Sequence, residues 1–345
     1  MQQRIGWLTT DDDARMAFAT VGDGRPLLYV SGWLSHLERG WELPEERAFY
    51  EGLANGCTLV RYDRPGTGLS APSGRPPSLQ QELAQLDALA ATLGPQPFDL
   101  MGASMGAPVA AAWAAAHPES VRRLVLYGGW VSGAAISTPE VRDSVLGLVE
   151  SHWGLGSDVL TDIFAPDAPA GSRAAFARYQ RAASTASTAR SLLELSYALD
   201  IGDVVGQVQA PTLVVHREHD RAAPVAQAVA LADGIPGAQL VVLPGRSHLP
   251  WAGDTHALVA TIRRFIGLRA PRTAAGRLTA RQDEVAALVS AGRTNREIAA
   301  SLGIDERSAE GHVERIRVRL GFRSRAQIAA WYAARHEQAG PGELR

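Results

Sequence analysis

The sequence predicts an α/β domain with a mostly parallel sheet, interrupted by a helical insertion and followed by a small all-α domain. Three observations predict it. Short apolar segments alternate with helical ones over most of the first 268 residues, the pattern of strands joined by crossover helices. The stretch from about 130 to 205 breaks that alternation with an Ala- and Ser-rich helical pattern. After residue 278, helix-start signatures follow one another closely.

The first two strands are read at Arg15 to Thr20 and Pro26 to Ser31, separated by the turn Gly22-Asp23-Gly24. Leu27-Leu28-Tyr29-Val30 is continuously apolar, as a strand buried on both faces should be. A helix near Glu45 to Leu53 leads to the strand Thr58 to Tyr62, which runs into the turn Asp63 to Ser70. A helix from about Leu79 to Leu93 precedes the run Phe98 to Met101, then a helix from Ala107, then the strand Val121 to Tyr127. Beyond the insertion come the strand Pro211 to His216, a helix near Pro224 to Ala232, the strand Gln239 to Leu243 and a helix near Ala257 to Phe265. Residues 269–276 lack apolar periodicity and contain Pro271, so they read as a linker between a domain at 1–268 and one at 277–340.

A length of 345 residues accommodates one large domain and one small one. The 34 basic and 36 acidic side chains nearly balance, so whole-chain charge selects no partner. Every fixed cation is an arginine, because the chain has no lysine. Cys57 is the single cysteine, which excludes an internal disulfide framework and a cysteine-based zinc site. No stretch approaches the ~20 apolar residues of a membrane span and the N-terminus opens no signal-like apolar core, so a cytoplasmic protein without a membrane partner is expected.

The chemistry concentrates at Gly102-Ala103-Ser104-Met105-Gly106, between a strand and a helix. Small flanking residues let the chain turn sharply with Ser104 at the apex. A serine nucleophile needs a base, an orienter for that base and donors for the oxyanion. His248 lies in the loop after one strand, and Asp220 follows the strand ending at His216. Their chain order with Ser104 is Ser, Asp, His, and Glu218 is the minor alternative as orienter. The backbone N–H groups of Met105 and of Trp33, in the turn Ser31-Gly32-Trp33, are the candidate oxyanion donors. His216, His219 and Asp220 are too few for a metal site, and neither a metal nor a cofactor is expected. His36 is read as bordering the pocket or on the surface, Arg64 as a brace of its turn, and Cys57 as a core residue.

With the elbow at Ser104, the Asp63-Arg64-Pro65-Gly66-Thr67-Gly68-Leu69-Ser70 turn, Asp220 and His248, residues 1 to about 268 resemble the α/β-hydrolase superfamily. The helical insertion at 130–205 reads either as a lid over a pocket or as a helical cap that covers the apolar ends of the sheet. The resemblance implies attack by Ser104 on an ester, lactone or related acyl group, with His248 as base and Asp220 as its partner. Ser31-Gly32 stands where the family often has His-Gly.

In the second domain, Thr279 with Gln282, Thr294 with Glu297 and Ser324 with Gln327 mark three helix starts. The fourth helix begins near Asp305 with Ala309, Val313, Ile316 and Leu320 on one stripe. Thr294 to Leu302, the turn Gly303-Ile304-Asp305 and Glu306 to Leu320 have the spacing of a helix-turn-helix unit. The run from Leu278 to Arg325 resembles the LuxR-type DNA-binding domain. From Arg277 to Arg325 there are ten arginines and seven acids, a modest excess for phosphate binding. Placing the stripe inward turns Arg307, Gly311, Glu314, Arg315 and Val318 outward, with Glu310 at the margin. Arg307, Arg315, Arg319, Arg323 and Arg325 are the candidates for phosphate contact, and Glu310 and Glu314 depart from the family's polar or basic pattern. The resemblance implies a homodimer through the last helix, where Ile328, Ala329, Trp331 and Tyr332 form an apolar face; the alternative is that Trp331 packs within its own bundle.

Together these readings describe a one-component transcriptional regulator. Its partners are double-stranded DNA and a small acyl or apolar ligand, which the first domain senses or hydrolyses. The alternative is a serine hydrolase whose helical tail is an interaction module.

Overall fold

The structure is a computed structural model that describes residues 1–10, 14–269, 278, 280–320, 322 and 324–337. The chain divides into two compact units, Met1–Ala270 and Pro271–Arg345. Apart from Arg269, the proposed linker at 269–276 lies outside the described residues, as does Thr279.

The first unit is built on eight strands: β1 (Arg4–Thr9), β2 (Arg15–Val21), β3 (Pro26–Val30), β4 (Thr58–Tyr62), β5 (Phe98–Ala103), β6 (Val121–Tyr127), β7 (Thr212–Arg217) and β8 (Gln239–Leu243). Their spatial order is β1-β2-β4-β3-β5-β6-β7-β8. The first two strands pair antiparallel and β4 through β8 run parallel with β3, so the ends of β3, β5, β7 and β8 open on one edge. In sheets of this kind ligands bind at the carboxyl ends of the strands.

Alternate residues of the buried strands feed two cores. Leu28, Val30, Leu100, Leu124 and Val214 face one core, and Tyr29, Met101, Val125 and Val215 the other. The unit's helices are α1 (Leu37–Glu42), α2 (Pro44–Ala54), α3 (Leu79–Thr92), α4 (Gly106–Ala116), α5 (Pro139–Ser151), α6 (Trp153–Phe164), α7 (Ala170–Ala183), α8 (Ala186–Ala198), α9 (Val225–Gly234) and α10 (Thr255–Phe265). The first core is covered by α3, α4 and α9, the second by α2 and α10. Helix α4, which follows Ser104, is buried over most of its circumference, so its all-apolar sequence reflects position rather than amphipathicity.

The insertion forms α5 through α8. At its root an antiparallel bridge joins Ser132 to Asp200, and the Gly133 N–H donates to the Leu199 carbonyl at 2.7 Å. Two elements were not anticipated from the sequence, β1 and α1. Strand β1 lies at the sheet's edge with Ile5 and Trp7 exposed, so it carries no buried apolar run to announce it.

The second unit contains α11 (Ala280–Ser290), α12 (Asn295–Leu302), α13 (Glu306–Arg319) and α14 (Arg325–Glu337). Val285, Ile298, Ala309, Ile316 and Ile328 are buried in its core. Thr294 and Glu297 form a reciprocal capping box, Ser324 and Gln327 another, and the Asp305 carboxylate accepts from the Ser308 N–H at 2.8 Å. Gly303 ends α12 in the left-handed region at φ 63°, which makes the tight turn into α13 possible.

Candidate active site and nucleic-acid interface

Ser104 follows β5 directly and has φ 55°, the one positive value at a non-glycine residue among the described residues. Such strain concentrates at functional turns. A side chain at Gly102 would collide with the Gly106 carbonyl, and one at Gly106 with the Val30 carbonyl, so the elbow requires both glycines.

The structure brings together the three residues singled out from the sequence. His248 Nε2 lies 2.7 Å from Ser104 Oγ, and His248 Nδ1 lies 2.7 Å from Asp220 Oδ2. Asp220 Oδ1 accepts from the Ala222 N–H at 2.8 Å. Burial pushes the Asp220 carboxyl up, but the His248 and His216 imidazoles and the Ala222 N–H outweigh it and hold the carboxyl below its ordinary range. Gly128, after β6, leaves room for the imidazole: a Cβ there would stand 3.2 Å from His248 Cε1.

Three residues of the β7 loop separate cleanly. His216 is buried beside Asp220, with Nε2 at 2.9 Å from the Ala223 carbonyl, and burial lowers its pKa. His219 and Glu218 are exposed and pair with each other at 3.8 Å, so Glu218 does not serve as the orienter. No cluster of three metal-ligating side chains occurs among the described residues.

The candidate oxyanion donors flank Ser104. A Cβ on Gly32 would lie 3.4 Å from Ser104 Cβ, which places the Ser31-Gly32-Trp33 turn against the nucleophile. Neither the Trp33 N–H nor the Met105 N–H has a hydrogen-bond acceptor among the described residues.

Two buried arginines anchor the loops that carry these groups; Arg64, read from the sequence as a brace of its own turn, holds the neighbouring one, and Arg217 was not singled out from the sequence. Arg64 donates to the carbonyls of Ser31 and Gly32 and to the Ser31 hydroxyl, and pairs with Glu82 at 2.7 Å. With the two carbonyls turned toward Arg64, the turn is held from behind. Arg217 donates to the carbonyls of Pro244, Ala252 and Asp254 at 3.1, 3.0 and 3.2 Å, gripping both ends of the His248 loop. The cap contributes as well. The Phe164 carbonyl accepts from the His248 N–H at 2.8 Å, and its ring lies 5.6 Å from the imidazole. The cleft over Ser104 is lined by aromatic residues from sheet, helices and cap, including Trp33, Tyr50, Phe164, Phe176, Tyr179 and Trp251.

In the second unit, Arg307, Glu310, Glu314 and Arg315 are exposed on α13, with Gly311 partly so; the side chain of Val318 lies outside the described residues. Arg315 lies along the bare surface at Gly311, where a Cβ would stand 3.5 Å from its Nη1. The arginines then sort by commitment. Arg317 pairs with Glu314 at 2.5 Å, Arg281 pairs with Glu284 and donates to the Leu302 carbonyl, and Arg325 donates to Asn295 Oδ1 at 2.7 Å and to the Arg293 carbonyl. Arg307, Arg315 and Arg296 have no such partner among the described residues, and Arg296 was not among the candidates drawn from the sequence. The side chain of Arg319 and the whole of Arg323 lie outside the described residues. Ile328 belongs to the domain's own core, and Trp331 packs against that core with its ring 6.2 Å from Phe322.

The sequence model of the alpha/beta hydrolase fold family matches residues 25–251. The chain belongs to that family. Residues 276–332 match the family of bacterial regulatory proteins of the LuxR type, so this α/β hydrolase carries a LuxR-type DNA-binding domain after its hydrolase domain. The hydrolase domain is 28% identical over 260 residues to a pyrrolizixenacetamide deacetylase of Xenorhabdus hominickii, covering 74% of this chain and 95% of that protein. It is 30% identical over 215 residues to a 2-hydroxy-6-oxononadienedioate/2-hydroxy-6-oxononatrienedioate hydrolase of Pseudomonas putida, covering 59% of this chain and 74% of that one. Among solved structures, an esterase from Exiguobacterium antarcticum superposes with a TM-score of 0.67 at 18% identity, covering 76% of this chain and 98% of its own. The fold shared with these proteins is that of the hydrolase domain alone; the LuxR-type domain of this chain lies outside the part they cover. No helix among the described residues is long and apolar enough to cross a membrane.

Proposed function

We propose that this regulator reads a small acyl ligand with its hydrolase domain, through a Ser104 site competent for nucleophilic attack, and reports occupancy through its DNA-binding domain. The observation that carries the reading is the unbroken chain of contacts Ser104–His248–Asp220, each link 2.7 Å, in one polypeptide with a LuxR-type domain.

The chemistry follows from the geometry. As Ser104 Oγ attacks the acyl carbon, His248 Nε2 takes its proton, and Asp220 stabilises the imidazolium through Nδ1–H. The developing oxyanion accepts from the N–H groups of Met105 and Trp33, for which no acceptor competes among the described residues. His248 then protonates the leaving group, and it activates the water that releases the acyl group. The deacetylase similarity supports an acyl ester, amide or lactone as the ligand class.

On DNA, α13 is the recognition helix, with Arg307 and Arg315 as phosphate contacts and Gly311, Glu310 and Glu314 facing the bases. Arg319, Arg323 and Arg325 are the further phosphate-contact candidates of the sequence, Arg325 with two donors already spent on the protein. Two copies pair to address two half-sites. The hydrolase domain favours one DNA-binding state when its ligand is bound.

The test is a DNA-binding titration of wild type and Ser104→Ala with and without a panel of acyl esters and lactones. A ligand effect in both proteins makes occupancy the signal, and one confined to wild type makes the acyl-enzyme or product the signal. Absence of any effect, with no affinity for DNA above that of the isolated hydrolase domain, contradicts the proposal.

A further inference from the structure

The lining of the Ser104 cleft includes two buried acceptor atoms that no donor among the described residues reaches. Glu46, on α2, is 2% exposed; its Oε1 accepts from the Tyr50 hydroxyl at 2.9 Å, while Oε2 is buried and without a partner. Gln180, on α7 of the cap, is fully buried. Its amide nitrogen donates to the Ser157 carbonyl at 3.0 Å and to Thr161 Oγ1 at 2.8 Å, leaving Oε1 unpaired. Both residues line the cleft, and neither hydrogen-bonds Ser104, His248 or Asp220. Buried acceptors without donors are rare because each forfeits its hydration.

The surroundings say what kind of donor is missing. No arginine lines the cleft. The Arg61 guanidinium lies over the Tyr50 ring at 3.8 Å and donates to Gln3 at 2.6 Å, without forming an ion pair with Glu46. Burial pushes the Glu46 carboxyl up to about 7, with Tyr50 and Arg61 opposing and Asp63 adding to the rise; the Tyr29 and Tyr179 hydroxyls are the other titratable groups that feel its charge. The rings of Tyr29, Tyr50, Phe176, Tyr179 and Trp251 share the lining with this carboxyl, and an aromatic wall with a buried acid is chemistry suited to an alkylammonium.

Given that Ser104 marks the ligand site, we infer that the ligand carries a hydrogen-bond donor, an amino group ahead of a hydroxyl, away from its acyl carbon, and that Glu46 receives it. Glu46 is then a specificity determinant. A ligand with a second carboxylate is disfavoured, because it would meet Glu46 with no cation in the lining. In this the chain differs from the similar hydrolases whose names specify a dioate.

The experiment uses full-length Ser104→Ala, so that no chemistry intervenes, and calorimetric titration with four probes of matched length: n-pentylammonium, pentan-1-ol, butyl methyl ether and pentanoate. At pH 8 the ammonium is expected to bind at least tenfold tighter than the ether, the alcohol severalfold tighter, and pentanoate most weakly. At pH 5.5, with the Glu46 carboxyl protonated, the ammonium preference should shrink. In Ser104→Ala/Glu46→Gln it should fall tenfold at pH 8, while the ether is unchanged. Equal binding of ammonium and ether, tighter binding of pentanoate, or indifference to Glu46→Gln would each overturn the inference; the ligand comparison needs no variant of Glu46. Labelling of wild type by a fluorophosphonate tests the nucleophile separately, and its failure would leave the titration readable.

Discussion

The two candidate sites are held together in opposite ways. Around Ser104 the triad and the loops that carry the candidate groups are buried or half-buried and tied to something else: the imidazole to serine, aspartate and the cap, the oxyanion turn to Arg64, the histidine loop to Arg217. On α13 the candidate groups are exposed, and Arg307 and Arg315, like Arg296 on α12, have no partner among the described residues. The difference teaches how to find each. In the enclosed site the candidate residues are the most constrained, whereas on the DNA-binding domain they are the least constrained.

The sharpest break in this comparison is Ser104→Ala. It should reduce acyl turnover or phosphonate labelling by about 10⁴- to 10⁶-fold, as for other serine triads, while thermal denaturation and DNA affinity without ligand stay as in wild type. Turnover that survives the substitution would remove the nucleophile. The interlocking itself is tested by Arg64→Met. It leaves Glu82 buried without its partner and the turn at Trp33 unheld, and should cost about 3–5 kcal/mol of hydrolase-domain stability in a denaturant titration. Double replacement, Arg64→Met with Glu82→Leu, should recover much of that stability but not the activity, since the Ser31 and Gly32 carbonyls lose their donor in both.

Glu46 is the weak point of the enclosed site. Its carboxyl is raised from an ordinary 4.5 to about 7, so the folded state binds its proton more tightly than the unfolded state. The contribution of this group to stability is therefore greatest below pH 4.5 and declines as pH rises to about 7. Glu46→Gln should stabilise the hydrolase domain by about 3 kcal/mol at pH 8 and hardly at all at pH 4. Equal denaturation midpoints for the two proteins at pH 8 would contradict the assignment. The smallest effects belong to the open site. Arg315→Ala and Arg307→Ala should each weaken DNA binding by less than about tenfold at moderate salt, lower the slope of log affinity against log salt by about 1, and leave stability within about 0.5 kcal/mol. A stability loss of several kcal/mol would show that these side chains are structural after all.

Much of this was legible before any coordinates, because local turns demand particular residues. Gly102 and Gly106 announce the elbow, and Gly303 with the Thr294 capping box announces the turn between α12 and α13. Asp220 and His248 stand out by their places in loops after strands and by their chain order with Ser104. What escaped was set by burial across long sequence distances. Glu82, 18 residues from Arg64, and Glu46, between Glu45 and Arg47, sit in helical stretches where nothing in the sequence singles them out. Arg325 reads as a free cation but is tied 30 residues back to Asn295. In each case the charge pattern says "surface" and only tertiary packing says otherwise. Strand β1 escaped for the converse reason: half exposed at the edge, it lacks the apolar signal that burial imprints.

The central claim is that occupancy at Ser104 alters DNA binding, and the most direct measurement compares one protein in two states. A duplex enriched from a random pool by the full-length chain would be titrated with untreated protein and with protein stoichiometrically phosphonylated at Ser104 by an alkyl fluorophosphonate. The account predicts that the two Kd values differ at least about fivefold, the lower end of ordinary allosteric coupling, and that Ser104→Ala treated with the same reagent binds as if untreated. Identical Kd values for the labelled and unlabelled wild type would contradict it.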